Sequence, residues 1–442
     1  MRYPETRRDD TVEVLHGVRV ADPYRWLEDP DSTETQAWVS EQNRLSREYL
    51  DALPSRAWFR GTVERIVARP RAGTPDKVGG KYLVSRNDGN QQQDQWFVAD
   101  TLEDLISGGR LLIDPNTFSA DGTSSLAGYN DSRDGRWLAY LVSDGGSDWT
   151  SIGVKDLSTG EDIDDVVTKV KFSEATWLPD DASYLYVYFP TEGTGVGTEA
   201  EALPGGQLRR HFVGKPQDED ELVLEFPENP RLNVTPELSH VGRWLSVEIH
   251  EGTSDKNRLW VYPVNTESGR TTIGKPLKVV DTVFAGFSFV RTEGSFLYLV
   301  TDHEAALRRV VRFDLDAFTG SGRADLVDVV PEGDASLEQV KAVGGEILAV
   351  HLVDAQPRIT RYSLDGTEVG IVDIPGGDVQ AVNGHVDDRE AFIGMSSLTE
   401  RLAAYRLDLA TGSVDRLDLA AGDATGWTPP ELVSERRRAT SP

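Results

Sequence analysis

The chain has 442 residues, with 74 acidic against 46 basic side chains and a formal net charge of −28. A field of that sign repels polyanions, so nucleic acid is not the expected partner. Ten Trp and a hydrophobic fraction of 38% are too rich for a disordered chain, and the lack of Cys removes disulfides and thiolate metal sites.

No apolar run reaches the roughly 18 residues of a membrane span, and Met1 to Asp10 is charged with no apolar stretch. The expectation is a soluble cytoplasmic protein without a membrane partner. A single core stops growing near about 250–300 residues, so the length predicts more than one domain or a repeat.

In chain order, residues 1–70 read as a short helical N-terminal segment. Asp31 with Glu34 three residues later predicts a capping box. Trp38, Leu45 and Tyr49 then supply a helical stripe, and a second helix is predicted from Ser55 to Ala68, stopped by Pro70.

From about Lys77 the pattern becomes a turn, an apolar strand, a gap and a partner strand. The copies are GGKYLVSR, DGRWLAYLVS, DASYLYVYFP, VGRWLSVEIH, EGSFLYLVTD, GGEILAVHLV and DDREAFIGMS, with trailing partners such as DQWFVAD, NRLWVYPVN and PRITRYSLDG. Their turns run from about 80 to 388, six intervals over 308 residues, or about 51 residues per repeat. Four-stranded propeller blades need about 40–50 residues, so the fold class is mainly β: a seven-bladed β-propeller over residues 71–428. Trp137, Trp177, Tyr186, Trp244 and Trp260 are expected to pack between blades.

Chemistry-bearing motifs are sparse. No Ser has Gly at both −2 and +2, as a nucleophile elbow requires. The seven His are scattered without zinc-ligand spacing and are expected at surfaces or in hairpins. No calcium loop or phosphate loop occurs, so neither a metal nor a cofactor is expected.

The stretch from Tyr3 to Asn43, with DPYRWLED at Asp22 to Asp29, closely resembles the opening of prolyl oligopeptidases. The resemblance continues through LIDPNTFSADGTSSL, GSDWTSI, VKFSEATW and EGTSDKNRLW. It implies a seven-bladed propeller lidding an α/β-hydrolase domain that cleaves short proline-containing peptides through a Ser–Asp–His triad. The family's G-G-S-N-G-G motif is not in this sequence, and residues 429–442 resemble a linker towards that hydrolase domain. No catalytic residue is therefore assigned, and the chain alone is expected to be inactive.

By position in the resemblance, Asp148 matches an Asp that pairs with a substrate-orienting Arg of the hydrolase domain. Phe172 matches an apolar residue beyond the proline pocket, and Thr253 and Asn233 fall where further apolar pocket residues occur. The alternative is a stand-alone propeller serving as a binding module, and a third reading puts a metal site at the propeller axis.

Overall fold

The computed structural model describes residues 3–190, 205–323, 325–420, 422, 432–435 and 437–440, so the expected linker 429–442 lies partly outside the described residues. The chain divides into two compact units, and the described part of the first is residues 3–69.

That first unit begins with a hairpin of Val12–Leu15 and Val18–Ala21. His16 and Gly17 both have positive φ, the tight turn that matches strand twist. A 3₁₀ turn, Arg25–Glu28, leads to helices Thr33–Asp51 and Arg56–Val67. The first helix is capped by Ser32 and not by Asp31: the Ser32 hydroxyl accepts the Thr35 N–H at 3.2 Å. Asp29 takes the N–H groups of Asp31 and Ser32, at 3.1 and 3.2 Å, which shifts the helix start by one residue. Glu34, expected to close the box, instead receives Arg7 at 2.6 Å. Among the described residues of this unit only Thr35 is buried, while Trp58 is 65% and Phe59 59% exposed. The amphipathic pattern folded into helices but found no core of its own.

The second unit is a β-propeller. Each repeat's central strand pairs antiparallel with its trailing partner, as Trp137–Ser143 does with Trp149–Asp156 and Glu346–Val353 with Gln356–Ser363. Strands join their neighbours in chain order, over residues 71–113, 125–224, 232–280, 287–330, 336–371 and 378–417. These are six sheets and not the seven separate ones expected, because residues 125–224 form one eight-stranded sheet. Its two halves meet through a single pair, Val170 with Tyr188. Lys169 and Phe172 take positive φ beside it, bending the edge strand onto its neighbour.

The cores lie between successive sheets. Trp244 and Leu259 pack with Phe287 and Leu299, and Val343 and Leu348 pack with Ile393 and Leu407. Trp177, Tyr184 and Tyr186 fill the space between the halves of the large sheet.

All strands of the first sheet come from residues 71–113 and all of the last from 378–417, so side chains close the ring. Lys77 reaches Asp388 at 2.8 Å and Glu390 at 3.0 Å, and Tyr82 donates to Glu390 at 2.6 Å. Asn383 donates to the Pro75 carbonyl at 2.9 Å and Arg86 to that of Leu419 at 2.7 Å. Val84 and Leu105 pack with Ala404 and Leu419 behind these polar contacts.

The expectation that histidines sit at surfaces fails at His351 and, most clearly, at His211 on the strand Gln207–Phe212. The His211 side chain is 1% exposed between Asp220, 2.8 Å from Nδ1, and Asp165, 3.0 Å from Nε2. A carboxylate at each ring nitrogen demands that both carry protons. Burial alone would lower the imidazole pKa, but Asp165 and Asp220 outweigh it and raise it from 6.5 to about 9. Asp165 belongs to Asp162–Lys171 and His211 to a strand of the other half, so the imidazolium ties the halves together.

Two measurements check these cross-links. At Glu390, burial raises the carboxyl, but Tyr82, Lys77 and Arg406 hold it below its ordinary 4.5. Its stabilisation is then present above about pH 4.5 and lost as pH falls through the lowered value. Glu390→Ala should cost about 3 kcal/mol in urea unfolding at neutral pH, with the deficit shrinking in acid; unchanged stability at neutral pH would refute the seam.

His211 works with the opposite sign. Its contribution is complete below about pH 6.5 and disappears as pH rises through about 9. Stability should therefore fall by about 3 kcal/mol across that range, and His211→Gln should be destabilised already at pH 6 and lose the slope. A flat profile for the parent chain would count against the charged bridge.

Candidate functional site

The innermost strands surround a cavity of about 1010 Å³ within the propeller. Ala127, Thr176, Thr235 and Glu237 come from three of these strands, because alternation turns every second side chain inward. One end of the channel is rimmed by turns of a common design. Ser132 Oγ accepts the Trp137 N–H at 2.9 Å, and Ser239 Oγ accepts the Trp244 N–H at 3.0 Å. The same S-x-x-G-R-W spelling produces both turns. Gly135, at φ 70°, must be glycine, since a Cβ there would stand 2.7 Å from Gly79 Cα.

The lining is acidic: Asp131, Asp134, Glu174, Glu237, Asp387 and Asp388 face Lys77 and Arg133. Glu237 opens onto the channel yet is flanked by protein. Desolvation, with the like charges of Glu174 and Glu248, pushes its carboxyl up to about 7 against the pull of Lys341. Burial likewise raises Asp131, although it accepts the Gly79 N–H at 2.6 Å. Both carboxyls are thus shifted in the same direction by their burial. Among the described residues, no group of three or more His, Asp or Glu is arranged to hold a metal ion.

The opposite end of the channel holds the predicted site residues. Asp148 precedes the strand Trp149–Asp156, and Phe172 follows Asp162–Lys171, its paired neighbour. Lys171 brings the two together: its ammonium lies 3.7 Å from Asp148, 5.1 Å from the Phe172 ring and 5.2 Å from the Trp149 ring. A cation over two aromatic faces is the arrangement that desolvation strengthens. Phe172 has φ 52° and is 58% exposed. A bulky residue in the left-handed region is strained, and here the strain turns its ring outward beside the cavity it lines.

Asn233 lies on Leu232–Leu238 opposite His250, and Thr253 is exposed in the turn between Trp244–Glu251 and Asn257–Glu267. They share the corresponding end of the next sheet. Of the four, Phe172 alone contributes to the cavity wall. Sequence reasoning missed Lys171 and Trp149, though each is the immediate neighbour of a residue it chose. It also missed Glu237, His240 and Asp387 as lining residues, although His240 stands in the second S-x-x-G-R-W turn and Asp387 opens the last repeat.

The chain matches the family model for the prolyl oligopeptidase N-terminal β-propeller domain over residues 4–418. It is 27% identical to a prolyl endopeptidase of Elizabethkingia meningoseptica, covering all of this chain and 60% of that protein. A prolyl oligopeptidase of Omphalotus olearius is 30% identical, with 91% of this chain and 57% of the relative covered.

Among solved structures, prolyl oligopeptidase B from Galerina marginata, bound to a 25-residue macrocyclization substrate, aligns with a TM-score of 0.85. That alignment has 25% identity and covers 96% of this chain and 61% of the other. A prolyl endopeptidase structure aligns at 30% identity with a TM-score of 0.72, covering 95% of this chain and 59% of the other. The chain thus spans about 60% of the length of these relatives. Propeller sheets built from successive local hairpins, an open channel and a match from residue 4 to residue 418 establish that the chain belongs to the prolyl oligopeptidase family, as its N-terminal β-propeller portion.

Proposed function

We propose that these residues form the substrate-admitting portion of a serine peptidase that cleaves short peptides after proline in the cytoplasm. The nucleophile, base and oxyanion donors would come from a catalytic α/β-hydrolase portion outside residues 1–442. The observation that carries this reading is the family match over 4–418 in a chain spanning about 60% of its relatives.

In the same reading, the eight-stranded sheet is two blades. One hydrogen-bonded residue pair joins its halves, and a separate core lies between them, which supports a count of seven. Residues 1–70 belong to the hydrolase side, 71–428 to the propeller and 429–442 to the link between them. Asp148 positions an Arg of the catalytic portion, with Lys171 setting the reach of its carboxylate. Phe172 supplies an apolar wall for the residue beyond proline, and Thr253 and Asn233 give the outer subsite a polar character.

Acyl transfer needs a base-activated nucleophile, and losing it costs about 10⁶ in rate. Purified 1–442 should therefore show no turnover of a proline-containing chromogenic peptide. Turnover abolished by a serine-directed covalent inhibitor would overturn the proposal. The coreless first unit supports a second expectation: Trp58, Phe59 and Val63 need apolar cover from elsewhere. Removing residues 1–69 should reduce self-association in light scattering while the β-sheet circular dichroism and melting temperature persist. Loss of the β-sheet signal would show that the propeller depends on this segment.

A further inference from the structure

The seam between the first and last sheets carries a chemically labile dipeptide. Ten Asn occur in the sequence, and only Asn383 is followed by Gly. Asn383 is the last residue of Asp378–Asn383, and its pairing with Phe392 ends that ladder. Its side-chain amide crosses the seam and donates to the Pro75 carbonyl at 2.9 Å.

The fold holds both residues of the dipeptide in place. Gly384 has φ 149°, a conformation that L side chains rarely adopt. A Cβ there would stand 2.9 Å from Val343 Cγ1 and 3.2 Å from the Glu390 carbonyl oxygen. Asn383 supplies the neutral N–H donor that the Pro75 carbonyl accepts, close to Lys77, which Asp388 and Glu390 already occupy. Ring closure therefore places an Asn–Gly step where a change of charge alters the joint.

We propose that Asn383 is a deamidation site whose conversion weakens the seam irreversibly. Glycine at the following position leaves the attacking nitrogen unshielded by any side chain. The Gly384 nitrogen attacks Asn383 Cγ, the N–Cγ bond forms as the Cγ–Nδ2 bond breaks, and ammonia leaves with the proton from the Gly384 N–H. Water then opens the succinimide, giving aspartate by addition at Cγ or isoaspartate by addition at the main-chain carbonyl carbon. Either product lacks the N–H that reached Pro75 and sets a carboxylate against a carbonyl oxygen, two acceptors with no proton between them. Isoaspartate also lengthens the main chain beside the pairing with Phe392. While Pro75 holds the amide, Cγ is restrained from swinging towards Gly384, so the closed seam slows the reaction that loosens it. The chemistry needs no catalytic portion and stands apart from the peptidase activity.

The 442-residue chain, incubated in mildly alkaline buffer at physiological temperature, should convert at Asn383 before any other Asn. Peptide mass mapping and isoaspartyl methyltransferase labelling read the conversion, with the exposed Asn265, followed by Thr, as internal reference. Glu390→Ala, which removes a seam partner of Lys77, should speed conversion at position 383 about two- to tenfold and leave Asn265 unchanged. Asn383→Gln, which keeps an amide but cannot close the five-membered ring, should stay amidated.

The incubated parent and Asn383→Asp should both melt about 2–5 °C below the fresh chain. Retention of the Asn383 amide while Asn265 converts would overturn the site. Conversion with an unchanged melting temperature, or without acceleration in Glu390→Ala, would equally overturn its coupling to the seam.

Discussion

The arrangement depends on closing a ring whose first and last sheets, among the described residues, exchange no strand. In a closed β-barrel, backbone hydrogen bonds make every joint alike. Here, the joint between residues 71–113 and 378–417 rests on side chains, chiefly Lys77 between Asp388 and Glu390. Burial works against both charges. Desolvation lowers Lys77 and raises Glu390, yet the mutual hydrogen bonds reverse both directions, leaving the lysine raised and the carboxyl lowered. The seam is thus held by a pair whose attraction exceeds its desolvation, backed by the Val84, Leu105, Ala404 and Leu419 cluster. Among the described residues, such a joint contains no backbone ladder between the first and last sheets.

The first unit shows the complementary problem. Its helices have a satisfied N-cap, an amphipathic pattern and surface ion pairs such as Arg44 with Glu41 and Glu48. These local devices specify helices but bury almost nothing, since Thr35 is the only buried residue described there. Helical stability in proteins comes mostly from packing an apolar face. Well-formed local structure with so little burial leaves the apolar face of these helices, Trp58 and Phe59 included, without a core among the described residues of the unit.

Much of the propeller was legible because its information is local. A glycine or aspartate turn, an apolar strand and a partner strand after a gap of two to 18 residues specify a hairpin, and all seven central strands formed where the repeat put them. What crosses between repeats was not legible. Nothing in the string VKFSEATW announces that Val170 will pair with Tyr188 and merge two repeats, nor that Lys169 and Phe172 will take left-handed backbone to allow it. His211 looks like any strand histidine in RRHFVG; the carboxylates that charge it lie 46 residues before it and nine after. Asp148 and Phe172 came from the resemblance alone, and Lys171, which physically links them, was hidden by standing next to a more conspicuous residue.

The same division between local and cross-ring information explains the electrostatics of the channel. Acidic turn residues serve structural contacts both within and between repeats: Asp134 takes the Ser132 hydroxyl of its own turn at 2.6 Å, and Asp181 takes the Asp134 N–H of the preceding repeat at 3.0 Å. Set around one axis, these residues accumulate negative charge that no single turn requires. The channel relieves it in two ways. On the strand Leu232–Leu238, Glu237 has its carboxyl pushed up to about 7 by desolvation and the neighbouring Glu174 and Glu248. At the rim, Lys77 and His240 meet Asp388 and Asp387 directly. The seam contact of Lys77 with Asp388 and the contact of His240 with Asp387 end on adjacent residues of one turn, so the ring's closure and its cross-channel contact share one short segment.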